Sequence, residues 1–267
     1  MEALKRWIKG EHTPVEIRLH LALLAVGYWA LIYCAFRAYT SLHPYSVMTH
    51  TLSELGSFDD RHNPEFYWIF TLAMVYCGAA MIPIVLYIRR KVAMASETGA
   101  WVGSLFFIVG CVAIILTGLF PDARGKVFGA WEYRHVHMKT AVTIAIGFGV
   151  GILWHWVLLL RDMVTRGTFN TEGKLPYLKL MGPFSVTLPV FAAIGLRLEW
   201  RYLYAAFYAA LQASREEMRT YWGYVEKGFH SFPVLEHLSI WGLTIFIIWF
   251  AAVLPYELEQ SQRLRKK

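Results

Sequence analysis

The feature that most constrains this chain is the recurrence of apolar runs long enough to cross a lipid bilayer. A helix of roughly 20 apolar residues spans the hydrocarbon core. We predict such spans at about 18–39, 66–88, 98–120, 138–160, 177–198 and 233–256. Each run is apolar around its whole circumference, as expected for a helix that contacts lipid or other helices. The sequence therefore predicts an all-α, polytopic membrane bundle of six transmembrane helices.

The composition agrees with a membrane protein and with a lipid partner. Hydrophobic residues make up 57% of the chain and charged residues 17%, which is too apolar for an ordinary soluble domain. The formal net charge of +7 would also suit a nucleic-acid-binding protein. The basic residues, however, stand in short patches between apolar runs, so we expect a membrane with anionic lipid as the partner and no nucleic acid.

The distribution of Lys and Arg predicts the orientation of the bundle. Cytoplasmic loops of membrane proteins are enriched in these residues. They concentrate here in the N-terminal tail, in YIRRK at 87–91 and in RLRKK at 263–267, whereas the basic connection at 121–137 weighs against this pattern. We expect both termini in the cytoplasm and residues 1–267 to form a single integral membrane domain.

One connection has a helical pattern of its own. Between spans five and six, apolar residues recur at helical spacing within 199–228, beginning with Trp200, Leu203 and Phe207. A helix of this kind extends a span beyond the membrane or lies flat at the interface. We predict an extra amphipathic helix that shields the outer surface, with a lid over a lipid-facing site as the alternative.

Polar side chains gather in the connections that this topology places outside the membrane. They come from three connections: His50, Ser53 and Glu54; then Asp122, Arg124, Arg134, His135 and His137; and finally Glu236 and His237. Connections that meet at one membrane surface would join these side chains in one polar site. This convergence is the main functional signal in the sequence.

The favoured interpretation is a non-enzymatic protein that binds a membrane lipid or a partner membrane protein through this outward face. Arginine and histidine donate hydrogen bonds to phosphate oxygens. On this interpretation the ligand-binding residues are His50, Ser53, Arg124, Arg134 and Glu236. An accessory subunit of a larger membrane complex would show the same pattern.

The alternative is a metal-dependent hydrolase that acts on a lipid ester or amide. A catalytic zinc takes three His or carboxylate ligands and activates a bound water. The candidate ligands are His135, His137 and His237, and Glu54 and Asp122 are the candidate catalytic residues. On a regular helix the H-x-H spacing separates its two side chains by about 200°, so both reach one metal only in an irregular turn.

Two other classes are disfavoured by the residues inside the spans. A b-type haem held by two histidines needs them on facing helices. His20 and His155 lie on different helices, but neither has a second matched histidine on its own helix, so we do not expect haem. A transporter or channel would need charged residues near the span centres, where they are almost absent.

Two short motifs resemble those of a known family. LSELGS followed by NPEF before span two, and GLFPD followed by HVH before span four, are similar to motifs of DUF998, a family of bacterial and archaeal six-helix membrane proteins. The eukaryotic Frag1/DRAM/Sfk1 group is similar more distantly. The matching positions are Ser53, Glu54, Gly56, Pro64, Glu65, Pro121 and His135 or His137.

This resemblance implies six helices, an outward polar face and a prokaryotic cytoplasmic membrane. It implies no reaction, because no function is established for the bacterial family. The eukaryotic group is linked to lipid handling and membrane organisation, which agrees with a lipid-binding role.

Overall fold

The computed structural model describes residues 2–39, 44–166, 175, 177–210 and 232–265. These residues contain the α-helices α1 Glu2–Ile8, α2 Pro14–Arg37, α3 Tyr67–Val92, α4 Glu97–Leu119, α5 Tyr133–Arg166, α6 Tyr177–Ala210 and α7 Phe232–Arg265. A 3₁₀ helix, Leu52–Gly56, lies before α3. An antiparallel hairpin of β1 Lys126–Phe128 and β2 Trp131–Glu132 lies before α5.

Six of these helices, α2 to α7, are long and apolar enough to cross a membrane, which confirms the predicted all-α, six-span architecture. The helix α1 and the hairpin are additions that the apolar pattern did not predict. The predicted amphipathic segment 199–228 begins within α6, which ends at Ala210, and the remainder of that segment lies outside the described residues.

Local capping signals set where two of the spans begin. The Thr13 side chain accepts a hydrogen bond from the Glu16 backbone N–H at 3.2 Å, and the Glu16 carboxylate accepts one from the Thr13 backbone N–H. This reciprocal pair caps the first turn of α2, just before Pro14. At the start of α4, the Ser96 hydroxyl accepts from the Gly99 N–H at 3.1 Å.

The spanning helices pack in chain order and close into a bundle, because each contacts the next and α7 contacts α2 and α3. Glycines allow close approach of α4 and α5, since a Cβ on Gly147 would lie 2.7 Å from the Gly110 nitrogen. Consecutive spans are antiparallel, so alternate connections lie at the same end. We call the end formed by residues 44–66, 120–132 and the first turns of α5 and α7 the polar end.

Aromatic packing joins the second half of the bundle. Neighbouring rings in this group have centroids 5.1 to 6.4 Å apart, and all of them are fully buried: Phe107 on α4, Phe148 on α5, Phe184 on α6, and Phe246 and Phe250 on α7. This packing fixes α7 against α4 and α6. The N-terminal part of α7 contacts the 3₁₀ helix.

Candidate functional site

The polar end is built around the 3₁₀ helix. Leu52 and Leu55 are buried at 2% and 1% exposure, and the Asn63 amide donates a hydrogen bond to the Leu55 carbonyl oxygen at 2.9 Å. The Ser57 hydroxyl donates to the backbone carbonyl of Asp122 at 2.6 Å. The first hydrogen bond holds the α2–α3 connection together, and the second ties it to the α4–α5 connection.

The start of α7 is joined to the 3₁₀ helix by a carboxylate. Glu236, near the start of α7, accepts a hydrogen bond from the Leu52 backbone N–H at 3.2 Å. Leu52 is the first residue of the 3₁₀ helix, where backbone N–H groups lack a partner within the helix. Glu236 therefore caps the start of the 3₁₀ helix and joins it to α7.

Charged side chains from the first two connections enclose a small cavity, which we call the polar cavity. Its volume is about 90 Å³, and its lining residues are Glu54, Asp59, Arg61, His62, Asp122, Ala123, Arg124 and Arg134. Three acidic and three basic side chains thus face one space. The predicted residues Glu54, Asp122, Arg124 and Arg134 come together here, while Arg61 is a participant that the sequence pattern did not single out.

The arginines of the polar cavity are each paired with a carboxylate. Arg61 contacts Asp59 through two hydrogen bonds of 3.2 Å. Arg124 lies 3.7 Å from the second oxygen of the same carboxylate, and Arg134 lies 3.5 Å from Asp122. The carboxylates lie deeper than the guanidinium groups. Their side chains are 13 to 27% exposed, against 62 to 78% for the three arginines.

Glu54 and Asp59, the acids that the α2–α3 connection contributes to the polar cavity, differ in their pKa values. Hydrogen bonds from Arg61 are the main cause that lowers the pKa of Asp59 to about 2. Burial, with the nearby Asp122 carboxylate, raises the pKa of Glu54 above its ordinary value, against an opposing effect of His62. The His62 Nδ1 lies 3.9 Å from the Glu54 carboxylate. Glu54 therefore gains a proton more readily than Asp59.

A second group of rings lies beside the polar cavity. The Tyr45 hydroxyl lies 2.9 Å from Nε2 of His237, whose Nδ1–H donates to the Pro233 carbonyl at 2.7 Å. The His50 ring packs on Tyr45, and its Nδ1 lies 2.9 Å from the Thr49 hydroxyl. Both ring nitrogens of His237 thus have hydrogen-bond contacts, and Tyr45 is a residue that no sequence motif indicated.

The remaining predicted residues are separated from the polar cavity. Ser53 is 8% exposed, and its hydroxyl lies 2.9 Å from that of Thr51. His135 and His137 lie on α5, which begins at Tyr133, and not on the connection before it as predicted from the spans. His137 is buried, with its Nδ1–H donating to the Phe120 carbonyl at 2.8 Å, whereas His135 is exposed.

The regular helix explains why the two histidines diverge. Side chains two positions apart on an α-helix point to different sides of its axis. Among the described residues, no three His, Cys, Asp or Glu side chains form a group that could hold a metal ion. Binding of zinc by His135, His137 and His237 stays a prediction.

Comparison with protein families identifies the chain. The model of DUF998, a family described as proteins of unknown function, matches residues 22–214, which is more than half of the chain. The chain belongs to the DUF998 family. The matched residues of this DUF998 protein include the whole polar cavity, whereas Glu236 and His237 lie beyond them.

Other comparisons leave the function of this DUF998 protein open. Neither the curated proteins nor the solved structures include a match to it. The resemblance to the Frag1/DRAM/Sfk1 group stays a prediction, as do the prokaryotic origin and the cytoplasmic termini.

Proposed function

We propose that this DUF998 protein binds the headgroup of a membrane lipid in the polar cavity. The observation that carries the proposal is the order of charges across the cavity. The carboxylates of Glu54, Asp59 and Asp122 lie deeper, and the more exposed arginines form the rim. A ligand that fits this order has a positive group that enters the cavity and a negative group that stays at its rim.

The headgroup of an aminophospholipid has this arrangement. Its phosphate would contact Arg124 and Arg134 at the rim, because guanidinium groups form charge-assisted hydrogen bonds with phosphate oxygens. Its ammonium group would reach the Glu54 carboxylate, which has no arginine within ion-pair distance among the contacts described above. The cavity volume of about 90 Å³ suits such a small polar group.

The position of the cavity favours a lipid over a partner protein. The cavity lies at the ends of membrane-spanning helices, where lipid headgroups are abundant. A partner protein, including a larger complex in which this chain is an accessory subunit, is the competing proposal. Native mass spectrometry of the protein purified in mild detergent separates the two by the mass of the retained ligand.

We expect Arg134→Gln to weaken binding of phosphatidylethanolamine by about tenfold, because one charge-assisted hydrogen bond is worth about 1.5 kcal/mol or more. Lipid titration of the full chain, followed by native mass spectrometry, measures this change. The matched control is Arg90→Gln at the opposite end of the bundle, since Arg90 is also ion-paired, at 3.1 Å from Glu11. Equal losses in both variants would contradict the proposal.

We also expect binding of phosphatidylethanolamine to strengthen as the pH rises through the pKa of Glu54. Burial raises this pKa above the ordinary value of a glutamate, so the carboxylate that would hold the ammonium group forms at a higher pH than that of an exposed glutamate. At lower pH, protonated Glu54 no longer supplies its negative charge to the ammonium group. Titration at several pH values measures the effect, and Glu54→Gln should bind weakly at all of them. A pH dependence that persists unchanged in Glu54→Gln would show that another group is responsible.

The zinc-dependent hydrolase is the alternative proposal for the same end of the molecule. It predicts about one zinc per chain, lost in both His137→Ala and His237→Ala, by elemental analysis of protein purified without chelator. Because His137 and His237 also donate hydrogen bonds to backbone carbonyls, the thermal stability of each variant has to be measured in parallel.

A further inference from the structure

A second and larger cavity lies on the side of α5 at the polar end. Its volume is about 470 Å³, and we call it the α5 groove; its lining residues are Ala130, Trp131, His135, Met138 and Lys139. None of these residues lines the polar cavity. The groove is therefore a separate candidate site, formed by the hairpin and the first two turns of α5.

The polar residues that line the α5 groove are those of an anion site. The Lys139 ammonium lies 3.7 Å from the centroid of the Trp131 ring, so a cation–π contact holds it in place. The His135 imidazole is exposed on the same side of α5, one turn before Lys139. The lining includes these two donors and no acidic side chain.

Along α5 towards its C-terminus, the same side of the helix is apolar. Met138, Val142 and Ile146 follow one another at four-residue intervals and are 54%, 50% and 56% exposed. They belong to the stretch Tyr133–Thr165, which is long and apolar enough to cross a membrane. The surface of α5 is thus cationic at the groove and apolar beyond it, in the order in which a lipid extends from headgroup to acyl chain.

We infer that the α5 groove binds a glycerophospholipid with an anionic headgroup. Its phosphate contacts Lys139 and His135, its glycerol backbone packs on Trp131, and one acyl chain follows Met138, Val142 and Ile146. The ligand class differs from that of the polar cavity, because the α5 groove has no carboxylate to hold an ammonium group. This inference does not rest on the proposed function of the polar cavity.

The test is a titration of the detergent-solubilised full chain with fluorescent phosphatidylglycerol and, separately, fluorescent phosphatidylcholine. We expect the wild-type protein to bind phosphatidylglycerol about tenfold more tightly, and Lys139→Gln to lose most of this preference. Trp131→Leu, which keeps an apolar side chain but removes the ring under the ammonium group, should weaken the preference severalfold. Equal affinity of the wild-type protein for the two lipids would overturn the inference.

The control variant and a soluble competitor sharpen the test. Lys91 lies at the opposite end of the bundle with its ammonium group 5.4 Å from the centroid of the Tyr87 ring, so Lys91→Gln removes a comparable lysine. It should retain the preference for phosphatidylglycerol, and an equal loss there would overturn the inference. Glycerol 3-phosphate should compete only weakly. Competition as effective as that of the lipid would show that the acyl chain contributes nothing, and the lipid site would be rejected.

Discussion

Gly147→Ala should lower the thermal stability of the bundle, although alanine is the better helix former. A Cβ at this position would lie 2.7 Å from the Gly110 nitrogen and 2.8 Å from the Phe106 carbonyl oxygen. Both are backbone atoms of α4, so relief requires the two helices to move apart. Overpacking of this kind costs roughly 1–3 kcal/mol, which exceeds the 0.5–1 kcal/mol or so gained from helix propensity.

The chain contains a closely matched control for this substitution. Gly149 lies two residues further along α5, and a Cβ there would meet nothing within 4 Å. Gly149→Ala therefore receives the gain in helix propensity without the clash, and its midpoint of thermal unfolding should equal or exceed that of the wild-type protein. The difference between the two variants, measured in the same detergent, isolates the contact between α4 and α5. Equal midpoints would show that these helices are not in close contact.

Asn63→Ala should destabilise the polar end and reduce lipid binding in the polar cavity. The Asn63 side chain is fully buried, and its amide donates to the Leu55 carbonyl at 2.9 Å. Alanine leaves this buried carbonyl without that donor, at a cost of about 1–3 kcal/mol. Because Glu54 lies in the same 3₁₀ helix, loosening this turn also displaces the carboxylate that we propose holds the ligand.

Thermal unfolding and titration with phosphatidylethanolamine measure the two effects of Asn63→Ala. Asp60→Ala is the control, since the Asp60 side chain lies in the same connection but is exposed. We expect Asp60→Ala to change the free energy of unfolding by less than about 0.5 kcal/mol, as is usual for exposed positions. Wild-type stability of Asn63→Ala would show that the hydrogen bond to Leu55 does not contribute to holding the 3₁₀ helix.

Much of the fold could be read from the sequence, because a membrane span is a local property. Some 20 consecutive apolar residues suffice to predict a crossing helix, and the six runs predicted here correspond to α2 through α7. The hairpin Lys126–Glu132 was missed because its strands are short and carry no apolar alternation. The start of α5 was placed too late, since its first turn is polar and the prediction followed apolarity alone.

The candidate site was predictable only in part. Grouping by connection correctly brought Glu54 together with Asp122, Arg124 and Arg134, because the order of the spans places their connections at one end. Grouping by connection also placed His135 and His137 together, although their H-x-H spacing on a regular helix directs the two side chains apart, as α5 shows. Which side chains of one end meet depends on the rotation of each helix about its axis.

The membrane class, the number of spans and the DUF998 motifs follow from the sequence, since each depends on residues close together in the chain. Which side chains become neighbours depends on how the helices pack. Tyr45 and His237 are separated by 192 positions, yet their polar atoms lie 2.9 Å apart. Such contacts arise from helix packing, where the glycines and aromatic rings of the bundle set how closely helices approach and how each is rotated. No local pattern in the chain encodes that rotation.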